Sequence, residues 1–123
     1  MSITAFTSQE RPAFLDLLVL AMYADGHLAS AEAERVQRTL ASFGLETDDE
    51  RNRLLDAAVT RVRQNAGTRE EARSLAVRLA GTFASPDAKQ AVYHALAELI
   101  ASDSSVSEAE KGFLSVIREV LRV

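Results

Sequence analysis

Apolar residues recur along this chain at the three-and-four spacing of an α-helix, and no segment alternates in the two-residue rhythm of a strand. Leu54, Leu55, Ala58, Val59 and Val62 trace one stripe, and Leu75, Ala76, Leu79, Ala80 and Phe83 trace another. The pattern predicts six helices over roughly 8–24, 30–43, 48–65, 69–84, 86–102 and 108–122. The first (Phe14, Leu15, Leu17, Leu18, Val19, Leu20, Met22) and the fifth (Val92, Tyr93, Leu96, Leu99, Ile100) are apolar around most of their circumference. Those two are expected at the buried centre, with the amphipathic helices packed around them.

The punctuation agrees with this reading. A Ser or Thr oxygen at a helix start accepts from a free N–H of the first turn, and a Glu three residues on reaches back to the cap. That spacing occurs at Thr7–Glu10, Thr47–Glu50, Thr68–Glu71 and Ser107–Glu110, while Ser85-Pro86 places proline where a missing donor costs nothing. Gly44 and Gly67 stand where helices must stop and are expected to take the left-handed conformation. Gly81 and Gly112 fall inside predicted helices, where close helix packing is the expected reason for them.

A shift of 78 residues lays Leu18 on Leu96, Asp25 on Asp103, Leu28 on Val106, Glu32 on Glu110, Val36 on Leu114 and Phe43 on Leu121. The chain thus reads as an all-α single domain over 1–123: a compact bundle of about six helices built from a pseudo-symmetric pair of helical hairpins. Helices three and four are inserted between the two halves. Each hairpin is a buried helix, an acidic turn and an amphipathic helix.

Composition narrows the function. The 123 residues are 47% hydrophobic, enough for a core that buries about 65% of the unfolded surface without staples. No cysteine is present, which removes thiol nucleophiles, disulfides and cysteine zinc sites. The apolar run from Leu17 to Ala24 is far shorter than the roughly 20 residues that span a bilayer, and no signal peptide is expected in the first residues, where no basic stretch leads into an apolar one. A cytoplasmic protein with no integral membrane segment is expected. The net charge of -4 weighs against a nucleic-acid partner.

Residues 51–78 nevertheless hold Arg51, Arg53, Arg61, Arg63, Arg69, Arg73 and Arg78. The first four point in different directions at 100 degrees per residue, and no aromatic side chains are interleaved for stacking on bases. A solvated face, or an internal complement to the acidic flanks, is the expected role, with Glu70 pairing Arg73. His27 and His94 are too few for a zinc site, and no nucleophile elbow, phosphate loop or dinucleotide fingerprint occurs. The chain is therefore expected not to be an enzyme and to have no catalytic residues.

The acidic turns are the one constellation suited to chemistry. Asp25, Gly26, Leu28 and Glu32 match positions 5, 6, 8 and 12 of an EF-hand loop, but Ala21 and Tyr23 stand where ligands belong at positions 1 and 3. The second copy has Leu99 and Ala101 there, so neither is an EF-hand. Two carboxylates per turn still suit a hard divalent cation, Ca2+, Mg2+ or Mn2+, completed by carbonyls or water. In the alternative, purely structural reading, Asp25 and Asp103 accept backbone N–H bonds, while Glu32 and Glu110 complete capping boxes.

The segment Ala21-Met22-Tyr23-Ala24-Asp25-Gly26-His27-Leu28-Ala29-Ser30-Ala31-Glu32 resembles the A-x-A-D-G-x-[IL]-x-x-x-E signature of the tellurite-resistance TerB-like family. Ile100 to Glu110 echoes it. That family includes the amino-terminal domain of a DnaJ-like co-chaperone. The resemblance covers nearly the whole chain and implies a bacterial, cytoplasmic, non-catalytic module linked to stress responses. It also implies a protein partner, including a membrane-associated stress-response protein, and a divalent cation held through acidic residues. On this sequence those residues are Asp25, Glu32, Asp103 and Glu110. Ser104 replaces the signature glycine in the second copy and Ala29 occupies the first copy's cap position, departures that weigh against two symmetric metal sites.

Overall fold

A computed structural model describes residues 6–22, 30–101 and 108–123. They form α1 (Glu10–Met22), α2 (Ser30–Ser42), α3 (Asp48–Asn65), α4 (Arg69–Ala80), α5 (Pro86–Ala101) and α6 (Glu108–Leu121). The described residues contain no strand, and the architecture is all-α.

Local chemistry sets the helix ends. Thr7 Oγ1 accepts from the Glu10 N–H at 3.1 Å while Glu10 Oε1 accepts from the Thr7 N–H at 2.9 Å, a complete capping box. Thr47 and Thr68 are N-caps of α3 and α4, accepting from Glu50 and Glu71. Ser85 Oγ accepts from Ala88 N–H ahead of α5. Gly44 has φ 94, and the Leu45 N–H reaches Leu40 O while Gly44 N–H reaches Ala41 O. That pairing closes α2 in the manner of a Schellman motif, with both Leu40 and Leu45 buried.

Three glycines behave differently from expectation. The residue that ends α3 is Ala66, at φ -134 and ψ 55, and Gly67 does not enter the left-handed region. Gly81 caps α4 instead of lying within it, so that helix stops at Ala80, four residues short of its predicted end. Thr82 N–H then bonds Leu79 O, tightening the last turn and swinging Phe83 into the core. A Cβ on Gly81 would meet the carbonyls of Val77 and Arg78 at 3.5 Å, ordinary contact, and one on Gly112 would meet nothing within 4 Å. Close helix packing therefore explains neither residue.

The core is centred on α1. Every residue from Ala13 to Ala21 is buried, because α2, α3, α4 and α5 all pack against this helix. The fifth helix is one-sided: Val92, Ala95, Leu96, Leu99 and Ile100 face inward, while Gln90, His94 and Glu98 are exposed. It packs against α1, α2 and α6, but α3 and α4 settle on α1, so only α1 is the covered centre that the sequence suggested for both.

The two halves correspond best at their inner helices. Leu18 and Leu96 are both fully buried, and Phe43 and Leu121 are both buried. The outer helices diverge: Leu40 is fully buried, whereas its counterpart Arg118 is exposed. The reason is the insertion, since α6 packs on α4 and α5, whereas α2 packs on α1, α3 and α5.

Four rings join the start of the chain to the bundle. Phe6 lies 5.2 Å from Phe14, 5.9 Å from Phe43 and 5.6 Å from Phe83, with Phe14 4.7 Å from Phe43. Offset and edge contacts of this kind add about 0.5–1.5 kcal/mol per pair beyond area burial.

The glycine geometry predicts opposite outcomes for one substitution. Gly112→Ala should raise stability by about 0.5–1 kcal/mol, since an open helical position gains propensity. Gly44→Ala should lower it by about 1 kcal/mol, since alanine is strained at positive φ. Denaturant melts of the two variants read both signs, and a destabilised Gly112→Ala chain would contradict the open surroundings of that residue.

Candidate functional site

The acidic turns join α1 to α2 and α5 to α6. Asp25 and Asp103 lie outside the described residues, as do His27, Leu28, Ser104, Val106 and Ser107. Glu32 sits in the first turn of α2, and its side chain is likewise outside the description. Glu110 is the predicted site residue whose surroundings are described. It occupies the first turn of α6 and is buried, 6% exposed, where the positive end of the helix dipole favours an anion.

Among the described residues no group of three or more His, Asp or Glu side chains is placed to hold a metal ion. Nor does any buried side-chain nitrogen or oxygen there lack a hydrogen-bond partner. The donor chemistry of Asp25, Glu32, Asp103 and Glu110 is all-carboxylate, which fits a hard, oxygen-seeking cation and not a soft one.

Sequence reasoning missed a buried ion pair. Asp16 stands in the middle of fully covered α1, and Arg61 of α3 grips it from Nε at 3.0 and 3.1 Å and from Nη2 at 2.7 Å. The Asp16 side chain is 8% exposed and that of Arg61 40%, so the pair is sealed at the carboxylate and open to solvent at the guanidinium. Burial pushes the Asp16 carboxyl above its ordinary value of 3.8, and the hydrogen bonds and charge of Arg61 pull against that rise. A charge inside the run Phe14-Leu15-Asp16-Leu17-Leu18 was the available signal, because such a group requires a partner.

The other arginines divide in the same way. Arg51 is turned inward, bonding Gln37 Oε1 at 2.7 Å and Leu45 O at 2.6 Å and pairing with Asp48, which fastens the start of α3 to the end of α2. Arg53, Arg63, Arg73 and Arg78 are exposed. The expected Glu70–Arg73 pair is not among the ion pairs of the described residues. Among the described residues Arg51 and Arg61 thus serve the internal complement.

An open, polar groove of about 310 Å3 lies where α3 meets α4, lined by Asn65, Glu70, Glu71, Ser74, Leu75 and Arg78. Its mixed charge and openness give no single ligand chemistry. His94 is exposed on α5, its ring 6.3 Å from that of Tyr93. Within the described residues no helix is long and apolar enough to cross a membrane.

The sequence profile of the family described as tellurite resistance protein TerB matches residues 11–123. No curated relative and no solved structure matches the chain.

The Asp16–Arg61 pair has a pH signature. Because the folded carboxyl binds its proton more tightly than the unfolded one, its contribution to stability is fully present below 3.8 and is lost as pH rises through the higher folded value. Arg61→Ala removes the two effects that hold this value down. The variant should lose about 2 kcal/mol at pH 7, a figure reduced for the exposed guanidinium, and markedly less near pH 4. Adding Asp16→Asn should recover part of the loss. Urea melts at both pH values check this, and an equal loss at the two would contradict it.

Proposed function

The chain belongs to the TerB family of tellurite resistance proteins, and from that premise we propose that it is a non-catalytic, stress-associated binding module. In this reading residues 1–123 are one helical domain acting in the cytoplasm on a protein partner, including a membrane-associated stress-response protein. Its ligand-bearing residues are Asp25 and Glu32 in the first acidic turn and Asp103 and Glu110 in the second, which together hold a divalent cation, Ca2+, Mg2+ or Mn2+. The observation that supports the reading is the recurrence of the same Asp and Glu, 78 residues apart, at corresponding connections of the two halves. A bound cation would neutralise the carboxylates of its turn and brace that turn against the helix that follows it.

A second reading has its own support. Thr7 and Glu10 form a complete capping box, and Glu110 stands at the same distance from Ser107 as Glu10 does from Thr7. On that analogy the acidic residues only shape their turns, and the module is a protein-interaction domain with no metal.

Calorimetry with Ca2+, Mg2+ and Mn2+ separates the two. The first reading expects saturable heat with at least one cation and a loss of about tenfold or more in affinity for Asp25→Asn, since removing a direct ligand costs at least as much as removing an outer-shell one. Absence of heat, or an affinity unchanged by the substitution, leaves the metal-free interaction domain as the surviving reading.

A further inference from the structure

Phe6 is 1% exposed although it belongs to no helix, while Thr7, Ser8 and Gln9 behind it are all exposed. Among the described residues the hydrogen bonds of this segment run only to the start of α1. Arg11 Nε–H donates to Phe6 O at 3.2 Å, Thr7 N–H donates to Glu10 Oε1, and the Glu10 and Arg11 N–H groups donate back to Thr7. Among residues 6–9 the direct grip on the rest of the bundle is the Phe6 ring, while Glu10, which receives the Thr7 N–H, also accepts the Ala84 N–H at 3.1 Å and so stays with the helices. That ring fills a socket with three aromatic walls: Phe14 from α1, Phe43 from the end of α2 and Phe83 from the turn after α4. The walls all lie within the residues matched by the TerB profile, and Phe6 lies outside them.

We propose that Phe14, Phe43 and Phe83 form a binding socket for an aromatic side chain, and that Phe6 is its occupant in cis, carried on a strap that leaves without unfolding the helices. A segment held by one ring and a local cap opens at lower free energy than the helices, whose core residues are interlocked on several sides. Once the strap is out, three apolar rings line a recess of the size and chemistry of a phenyl group, which the same sequence supplied in trans would refill. The inference stands independently of the acidic turns and of any cation.

Native-state hydrogen exchange on the full chain and on its Phe6→Ala and Phe6→Leu variants tests the strap. In the wild type the Thr7, Glu10 and Arg11 amides should exchange at least about tenfold faster than those of Leu17 to Leu20, through an opening that denaturant hardly promotes. Phe6→Ala should speed the first set by about tenfold or more and leave the second within about threefold, with Phe6→Leu giving the same pattern at smaller amplitude. Uniform acceleration of both sets, or global unfolding in either variant, overturns the strap, because Phe6 is then an ordinary core residue. For the socket, a synthetic peptide of residues 1–10 is titrated into Phe6→Ala chain. Saturable NMR shifts at Phe14, Phe43 and Phe83, absent with a peptide carrying the same substitution and at least about tenfold weaker on wild type, are expected. No shifts at millimolar peptide would reject binding in trans.

Discussion

A helix covered on every side must find partners for its polar groups in the elements that cover it, and α1 carries two buried carboxylates, Glu10 at its start, which accepts the Ala84 N–H, and Asp16 at its middle. Asp16 is answered by Arg61, and this contact fixes how α3 lies across α1. A guanidinium held at two points cannot slide by a helical turn without leaving the carboxylate unpaired in an apolar setting, which costs about 2 kcal/mol at neutral pH. Ala58 and Val62, on the same helix as Arg61, are buried in the core beside this contact.

The same placement explains the asymmetry of the fold. Once α3 and α4 have settled on α1, α4 also takes up part of the surface of α6, and the two halves no longer have equivalent neighbours. Their inner helices keep matched burial at Leu18 and Leu96, whereas their outer helices expose different faces, as Leu40 and Arg118 show. The helices on either side of the two acidic segments therefore have different supports. The replacement of glycine by Ser104 in the second copy adds a difference in the turn itself.

Of the candidate site, the sequence displayed the donor types and their duplication: Asp25 and Glu32, Asp103 and Glu110. The burial of Glu110 at the start of α6 was not legible from it, because a capping glutamate and a solvated one have the same sequence neighbours. The arginines show the same limit. Arg51 and Arg61 appeared as two of seven similar cations, and only the approach of α2 and α1 turned them into internal partners of Gln37, Leu45 and Asp16.

Helix number, order and most boundaries were set by the sequence alone, because caps, apolar spacing and proline act within a few residues of where they stand. Thr7, Thr47, Thr68 and Ser85 each cap the helix they precede, and Gly44 ends α2 by the conformation only glycine adopts freely. Tertiary structure decided which apolar helix became the centre, what faced Asp16, and that Phe6 closed a ring of aromatics drawn from three distant segments. Those outcomes depend on contacts between residues tens of positions apart, and no local pattern encodes which surface will arrive to meet another.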